Sequence, residues 1–489
     1  MYLVNKLCEK IACCCKRARS EDNEEQSLVN ERQTSWFSIY ICTIFVLLDG
    51  IQYSMVIVSM WPYLKTIDPS ATATFFGFII AAFSLGQAIS SPLLGYWSNK
   101  AKSIKPPLTL TLSMMMLANI IYGCIELFST KDRSYIMMAT RFIAGFAAGD
   151  VAVMRSYSAT AAIKEERPKA IVISSAAWNL GMTLGPAVPV IFSPLGYPGW
   201  KISENLHLDM YTAPAWLSFI NNIISMLVLH TIFKEEYVGV DENMPEDLST
   251  SQQPSLNKLA ICLCIATRFS LLFVFTNTET IGSLFVMIMY DWSNEQAVKY
   301  YGLITLGQGG VTFLGNLILF LWLSQYIGKR NLERFAVIFG LSMMIFFYFL
   351  TFPWPFWDEK LTYSIKQTNG SSTEIYGCYP ETYHFCSTTH QVPLWIYVFG
   401  MIFVLAISFL ISFNPLSIFY SKLLGNTRMG TMTGILFMAG SIARTIGPLI
   451  VAPLFSHFGP EITWGMEIVV LIVTIVPWLV FYRQMSPNI

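Results

Sequence analysis

The chain has 489 residues, 54% hydrophobic and only 13% charged, with 31 basic and 31 acidic side chains and a mean hydropathy of +0.50. Soluble domains carry about twice that share of charge, so the composition excludes a soluble globule and predicts an all-α membrane protein. Zero net charge argues against a nucleic-acid partner.

Residues 1–35 are mostly polar and lack the apolar core of a signal peptide, so the first span is expected to act as its own insertion signal. Within this tail "CEKIACCCKRAR" sets Cys13, Cys14 and Cys15 beside basic residues. Such cysteines suit S-palmitoylation at a membrane surface, or equally a free thiol cluster. Glu24-x-x-x-Leu28-Val29 resembles an acidic dileucine sorting signal with valine in the last place.

A helix needs about 20 apolar residues to cross a bilayer. Runs of that kind fall at 36–60, 73–95, 108–128, 135–156, 170–192 and 211–233, and again at 266–289, 298–322, 333–352, 392–417, 430–454 and 462–482. These make an N-terminal six-helix bundle (36–233) and a C-terminal one (259–482). Between them lies an acidic, proline-containing linker (234–258), and residues 483–489 form a short tail. The seventh span could begin at 259, but that would bury Arg268, so a start at 266 with Arg268 near the surface is expected. Placing both termini in the cytosol puts about three times as many Lys and Arg inside as outside, which follows the positive-inside rule. The long loop 353–391 is then luminal. It carries the sequon Asn369-Gly370-Ser371, a glycan acceptor in a lumen, and Cys378 and Cys386, which could pair in an oxidising compartment.

The halves echo each other. Leu85-Gly86-Gln87 matches Leu306-Gly307-Gln308, and Gly185-Pro186 matches Gly447-Pro448. Ordered echoes across a midpoint linker are the build of a secondary transporter.

At this point the sequence resembles the major facilitator superfamily. Arg141-x-x-x-Gly145 is similar to that superfamily's fourth-span motif, and Gly181-x-x-x-Gly185-Pro186 to its fifth-span motif. The loop "GYWSNKAK" keeps Gly95 and Lys100 but has Asn99 where an aspartate is expected. "LWLSQYIGKR" has Gln325 at the corresponding acidic position. The charge network that braces the cytosolic gate is therefore in doubt. An ordered set of segments, "SMWPYLKTIDP", "SLGQ", "VAVMRSYSA", "ETI", "NEQAV" and "GSIARTIGP", resembles the lysosomal major facilitator proteins of the neuronal ceroid lipofuscinosis group. The resemblance implies an endolysosomal membrane protein conducting chloride.

A charge at mid-bilayer costs about 2.5–3.5 kcal/mol on insertion scales and stays only if it faces protein or water. Asp49, Asp150, Glu279 and Arg444 sit at mid-span. Arg141 is nearer the lumen and Arg155 nearer the cytosol. In the superfamily arrangement all fall on helices that line or flank the central cleft, so they are the candidate ion pathway. Either arginine could instead be structural, and Glu279 could be a proton carrier or a fixed counter-ion for Arg444. Glu126 and Glu467 fall near span ends, within reach of the interface. Gln87 and Gln308 could line the path or join two spans. Gly145 and Gly149 share a face for close packing, and the Gly-Pro pairs are expected to kink their helices.

No enzyme chemistry is expected. The five histidines are scattered without metal-ligand spacing, there is no phosphate-binding glycine loop, and no cofactor is implied. Chloride conduction is the leading expectation. A proton-coupled carrier of a small organic solute and a non-transporting scaffold are the alternatives.

Overall fold

The computed structural model describes residues 33–203, 206–239, 257–292, 294–323, 326–327, 330–367, 373–381, 383–425 and 427–485. Expectations placed on Cys13, Cys14, Cys15, Glu24, Leu28, Val29, Gln325 and Asn369 lie outside the described residues.

The described chain forms helices long and apolar enough to cross a membrane. Span 1 is Trp36–Ile67, span 2 Ala73–Ala101 and span 3 Lys105–Gly123. Span 4 is broken into Arg133–Ala147 and Asp150–Thr160, and span 5 into Arg167–Leu184 and Ala187–Phe192. Span 6 is Ala213–Thr231, span 7 Lys258–Tyr290, span 8 Asn294–Ile318 and span 9 Glu333–Leu350. Span 10 joins Leu394–Phe399 to Ala406–Leu424 through a π-helical turn at Gly400–Leu405. Spans 11 and 12 run together as Gly430–Val480, interrupted at Gly459, where φ is 78°.

Local chemistry sets many of these starts. The Thr72 hydroxyl accepts from the Phe75 amide, and the Asn257 side chain accepts from the Ala260 amide, the usual N-cap arrangement. Spans 3, 5 and 6 begin with proline in the first turn, where its missing N–H costs nothing.

Three expectations are corrected. Span 7 begins at Lys258, not 266, and Arg268 is buried at 3% exposure. Its guanidinium is held by aromatic rings, which the one-dimensional hydropathy argument could not see. Glu467 does not reach an interface: it is 2% exposed and accepts a 2.7 Å hydrogen bond from the Asn277 amide nitrogen of span 7. Glu126 is also buried, and takes hydrogen bonds from outside its own helix.

Each half has its own apolar interior. Ile39, Val46, Leu108, Val153 and Leu229 pack in the first, and Leu271, Val274, Phe285, Leu341 and Trp464 in the second. Both described chain ends lie on one face of the bundle, here the terminal face. The opposite, loop face carries two hairpins where only loop was expected. Trp200–Ser203 pairs with Leu206–Leu208, and Tyr363–Gln367 with Thr373–Gly377. Cys378 and Cys386 are joined in a disulfide with Cα atoms 5.6 Å apart, immediately after the second hairpin.

Candidate functional site

The two halves meet chiefly through span 2 against span 11, from the terminal face to mid-depth. Gly95 lies directly against the Gly430 backbone, and Ser91 and Pro92 against Gly434. Asn99 seals the end of this seam. Its Oδ1 accepts from the Gly430 amide (3.0 Å), while its Nδ2 donates to the Arg428 carbonyl (3.3 Å) and the Thr431 hydroxyl (3.0 Å). The doubt raised by the missing aspartate is answered by geometry: the seam at the first residues of span 11 is braced by an uncharged amide. At mid-depth Gln87 ties three spans together. Its Nε2 donates to the Ala148 carbonyl of span 4 (3.1 Å), and its Oε1 accepts from Ser441 of span 11 (3.0 Å). Gln308 does not tie spans together in this way: its side chain makes no hydrogen bond among the described residues.

Above Gln87, Arg444 of span 11 reaches across to span 1. It donates a hydrogen bond to the Tyr53 hydroxyl and lies over the Tyr53 ring at 4.9 Å. Tyr53 packs on Phe83 with ring centroids 4.9 Å apart, and Arg141 of span 4 lies over Phe83 at 4.7 Å. Toward the terminal face Arg268 is held between Phe413 (3.7 Å) and Phe437 (4.8 Å), and Arg155 lies over the same Phe437 at 5.4 Å. Arg141, Arg444, Arg268 and Arg155 thus form a column through the protein, each faced by an aromatic ring. Arg444 is within electrostatic reach of both Arg141 and Arg268. Among the described residues no carboxylate lies within 4 Å of any of the four. Cation–π contact supplies about 0.5–2 kcal/mol each.

The carboxylates go elsewhere. Asp49 and Asp150 face each other across a cavity of about 10 Å³ inside the N-terminal bundle, walled by Phe45, Leu48, Leu108, Leu112, Met154 and Ser225, room for about one water. Span 4 is interrupted just before Asp150, so its carboxylate stands in the first turn of a half-helix, where the helix dipole favours negative charge. One oxygen of each, Asp49 Oδ2 and Asp150 Oδ1, has no hydrogen-bond partner among the described residues. The expectation of one cleft holding all the deep charges is therefore not how they are placed: this pair lies in a separate chamber between spans 1, 3, 4 and 6. Glu279, by contrast, is exposed on span 7. It lies within electrostatic reach of Tyr53 and Arg444, on the loop side of their contact.

The small residues set helix spacing. Gly181 and Gly185 pack on Gly50 and Ser54 of span 1, whose Ser54 hydroxyl donates to the Gly50 carbonyl at 2.9 Å and also reaches the Gly181 carbonyl at 3.2 Å. Gly145 and Gly149 pack on Phe83 and Ser90 of span 2. Gly185-Pro186 ends the first helix of span 5, whereas span 11 runs through Gly447-Pro448 without a break. Gly447 lies against Asn277 of span 7.

Sequence reasoning missed Tyr53, Phe83, Phe413 and Phe437, since aromatic residues in apolar spans carry no local signal. It also set Arg268 aside, although a lone arginine ten residues into an apolar run was itself a sign of burial. Among the described residues no group of His, Cys, Asp and Glu could hold a metal.

Residues 42–365 match the profile of the Major Facilitator Superfamily. A Xenopus laevis protein described as Major facilitator superfamily domain-containing protein 8 is 30% identical over 481 residues, covering 93% of this chain and 92% of that one. Among solved structures, the proton:xylose symporter XylE superposes with a TM-score of 0.66 at 16% identity, covering 92% of this chain and 96% of its own. The human organic anion transporter MFSD10 does so with a TM-score of 0.62 at 16% identity, covering 90% and 98%.

Proposed function

Because the chain belongs to the major facilitator superfamily, we propose that it moves a small inorganic anion, chloride first, across the endolysosomal membrane. The proposal rests on one observation: four arginines in a column through the molecule are opposed by aromatic rings and, among the described residues, by no carboxylate within 4 Å. An unpaired buried charge is costly, and an anion passing between the halves is the partner that would relieve it. The terminal face is cytosolic and the loop face luminal in this reading. The halves meet from the cytosolic side up to the Tyr53–Arg444 contact, and Glu279 stands in the luminal vestibule. A seal on one side favours alternating access over a continuous pore.

The luminal setting also gives Asn369 a glycan and keeps the Cys378–Cys386 disulfide oxidised. Glu24, Leu28 and Val29 would serve sorting, and Cys13, Cys14 and Cys15 lipidation. A second reading, a proton-coupled carrier of a small organic solute, draws on the separate chamber where Asp49 and Asp150 face each other, each with one oxygen that has no hydrogen-bond partner among the described residues.

Chloride flux into liposomes carrying the purified protein tests the first reading. Wild type should carry chloride down its gradient, and Arg444→Gln should lower the rate at least about tenfold, since a hydrogen bond to a charged group is worth about 1.5–3 kcal/mol. Wild-type flux no faster than protein-free liposomes would overturn it.

A further inference from the structure

Near the terminal face a cavity of about 40 Å³ opens between the halves, room for about three waters. Arg155 of span 4 and Ile171 of span 5 form one wall. Ser417 and Ser421 of span 10, with Thr433 and Phe437 of span 11, form much of the other. None of its lining residues is acidic.

Arg155 makes no hydrogen bond among the described residues, and its buried Nε–H is without a partner. A guanidinium brings five donors in a fixed plane, and those of Arg155 meet no protein acceptor among the described residues. The Thr433 hydroxyl is likewise without a hydrogen bond among the described residues. On the far side of the Phe437 ring stands Arg268, its Nε also unpartnered. The two arginines are close enough to repel each other. Two like charges around one ring, next to a cavity with free donors and no acid, form an arrangement that an anion would stabilise and water alone would not neutralise.

We propose that this cavity is a binding site for a small inorganic anion of halide or nitrate size, held by Arg155 and Thr433. The site rests on the anion-transport reading for its biological meaning, since it would be the cytosolic station of a path whose central station is Arg444. It is nevertheless a separate place, divided from Tyr53 by the Gln87–Ser441 contact.

The test is the melting temperature of the full-length purified protein, titrated with sodium chloride against sodium gluconate at constant ionic strength. Wild type should show a saturable rise with chloride and with nitrate, and none with gluconate. Arg155→Gln should abolish the rise, and Thr433→Val should weaken the apparent affinity about tenfold, the loss of one hydrogen bond to a charged partner. Arg444→Gln should keep the rise. Where Arg155→Gln fails to fold, Arg155→Lys keeps the charge but not the planar fork, and should weaken affinity severalfold. A chloride response absent from wild type, or unchanged in both Arg155 variants, overturns the site. Chloride flux with no such response leaves the transport reading standing without it. The response without flux leaves the site standing without the transport reading.

Discussion

Arg444 and Tyr53 join the two halves of the molecule at mid-depth, through a hydrogen bond from guanidinium to phenol and a ring contact at 4.9 Å. One side chain thus both closes the seam and places positive charge at mid-depth between the halves.

Tyr53→Phe separates these roles. It removes the hydroxyl and keeps the ring, so the charge stays while the tie weakens by about 0.5–1.5 kcal/mol. The population open toward the terminal face should rise by roughly two- to tenfold. Alkylation of a cysteine introduced at Ser441 from the terminal side reads that shift; unchanged labelling would mean the hydroxyl does not hold the seam.

Glu279 is exposed on span 7, its charge opposed only at a distance by Arg444. Under the anion reading Glu279→Gln removes a repulsive charge and should raise chloride flux roughly two- to tenfold, the span of one charge at about 10 Å in partly screened surroundings. Under the carrier reading the same change instead leaves a solute flux that no longer responds to a pH gradient. Flux assays at two pH values distinguish the outcomes.

Asn99 gives the seam at the start of span 11 a neutral brace. Asn99→Asp keeps an acceptor for the Gly430 amide but loses the Nδ2 donations to the Arg428 carbonyl and the Thr431 hydroxyl, each worth about 0.5–1.5 kcal/mol, and should loosen the terminal face. The melting temperature should fall; an unchanged melting temperature would show that the amide does not brace the seam.

Asp209 lies outside the spans, in the loop leading to span 6. It is fully buried, and its Oδ1 accepts from the Tyr211 and Thr212 amides at 2.7 and 2.8 Å. Burial outweighs these bonds and raises its carboxyl above the ordinary carboxylate value. A raised acid favours the folded state below the unfolded value, and that contribution fades as pH climbs through the folded value. The protein should therefore gain stability on acidification from neutral pH, and Asp209→Asn should flatten that part of the melting-temperature profile. An unchanged profile would assign the pH dependence elsewhere.

Gly145 lies against the Phe83 backbone, where an added Cβ would collide with atoms that cannot rotate away. Gly145→Ala should cost about 1–3 kcal/mol, the usual cost of overpacking, read as a lower melting temperature. Gly302→Ala, in open space, is the matched control.

The apolar runs alone determined that the chain is helical and how many times it crosses, because a bilayer demands length and hydropathy of each helix separately. Mid-span charges at Asp49, Asp150, Glu279 and Arg444 were visible for the same reason. Which of them share a space was decided only in three dimensions. A helix turns about 100° per residue, so depth is legible in one dimension but direction depends on what packs alongside. Asp49 and Asp150 turned into the interior of one bundle, while Arg444 turned toward Tyr53. Arg268, expected at the surface, went inward because Phe413 and Phe437 arrive from two other spans to receive it, a meeting of residues about 150 positions apart that no local pattern encodes.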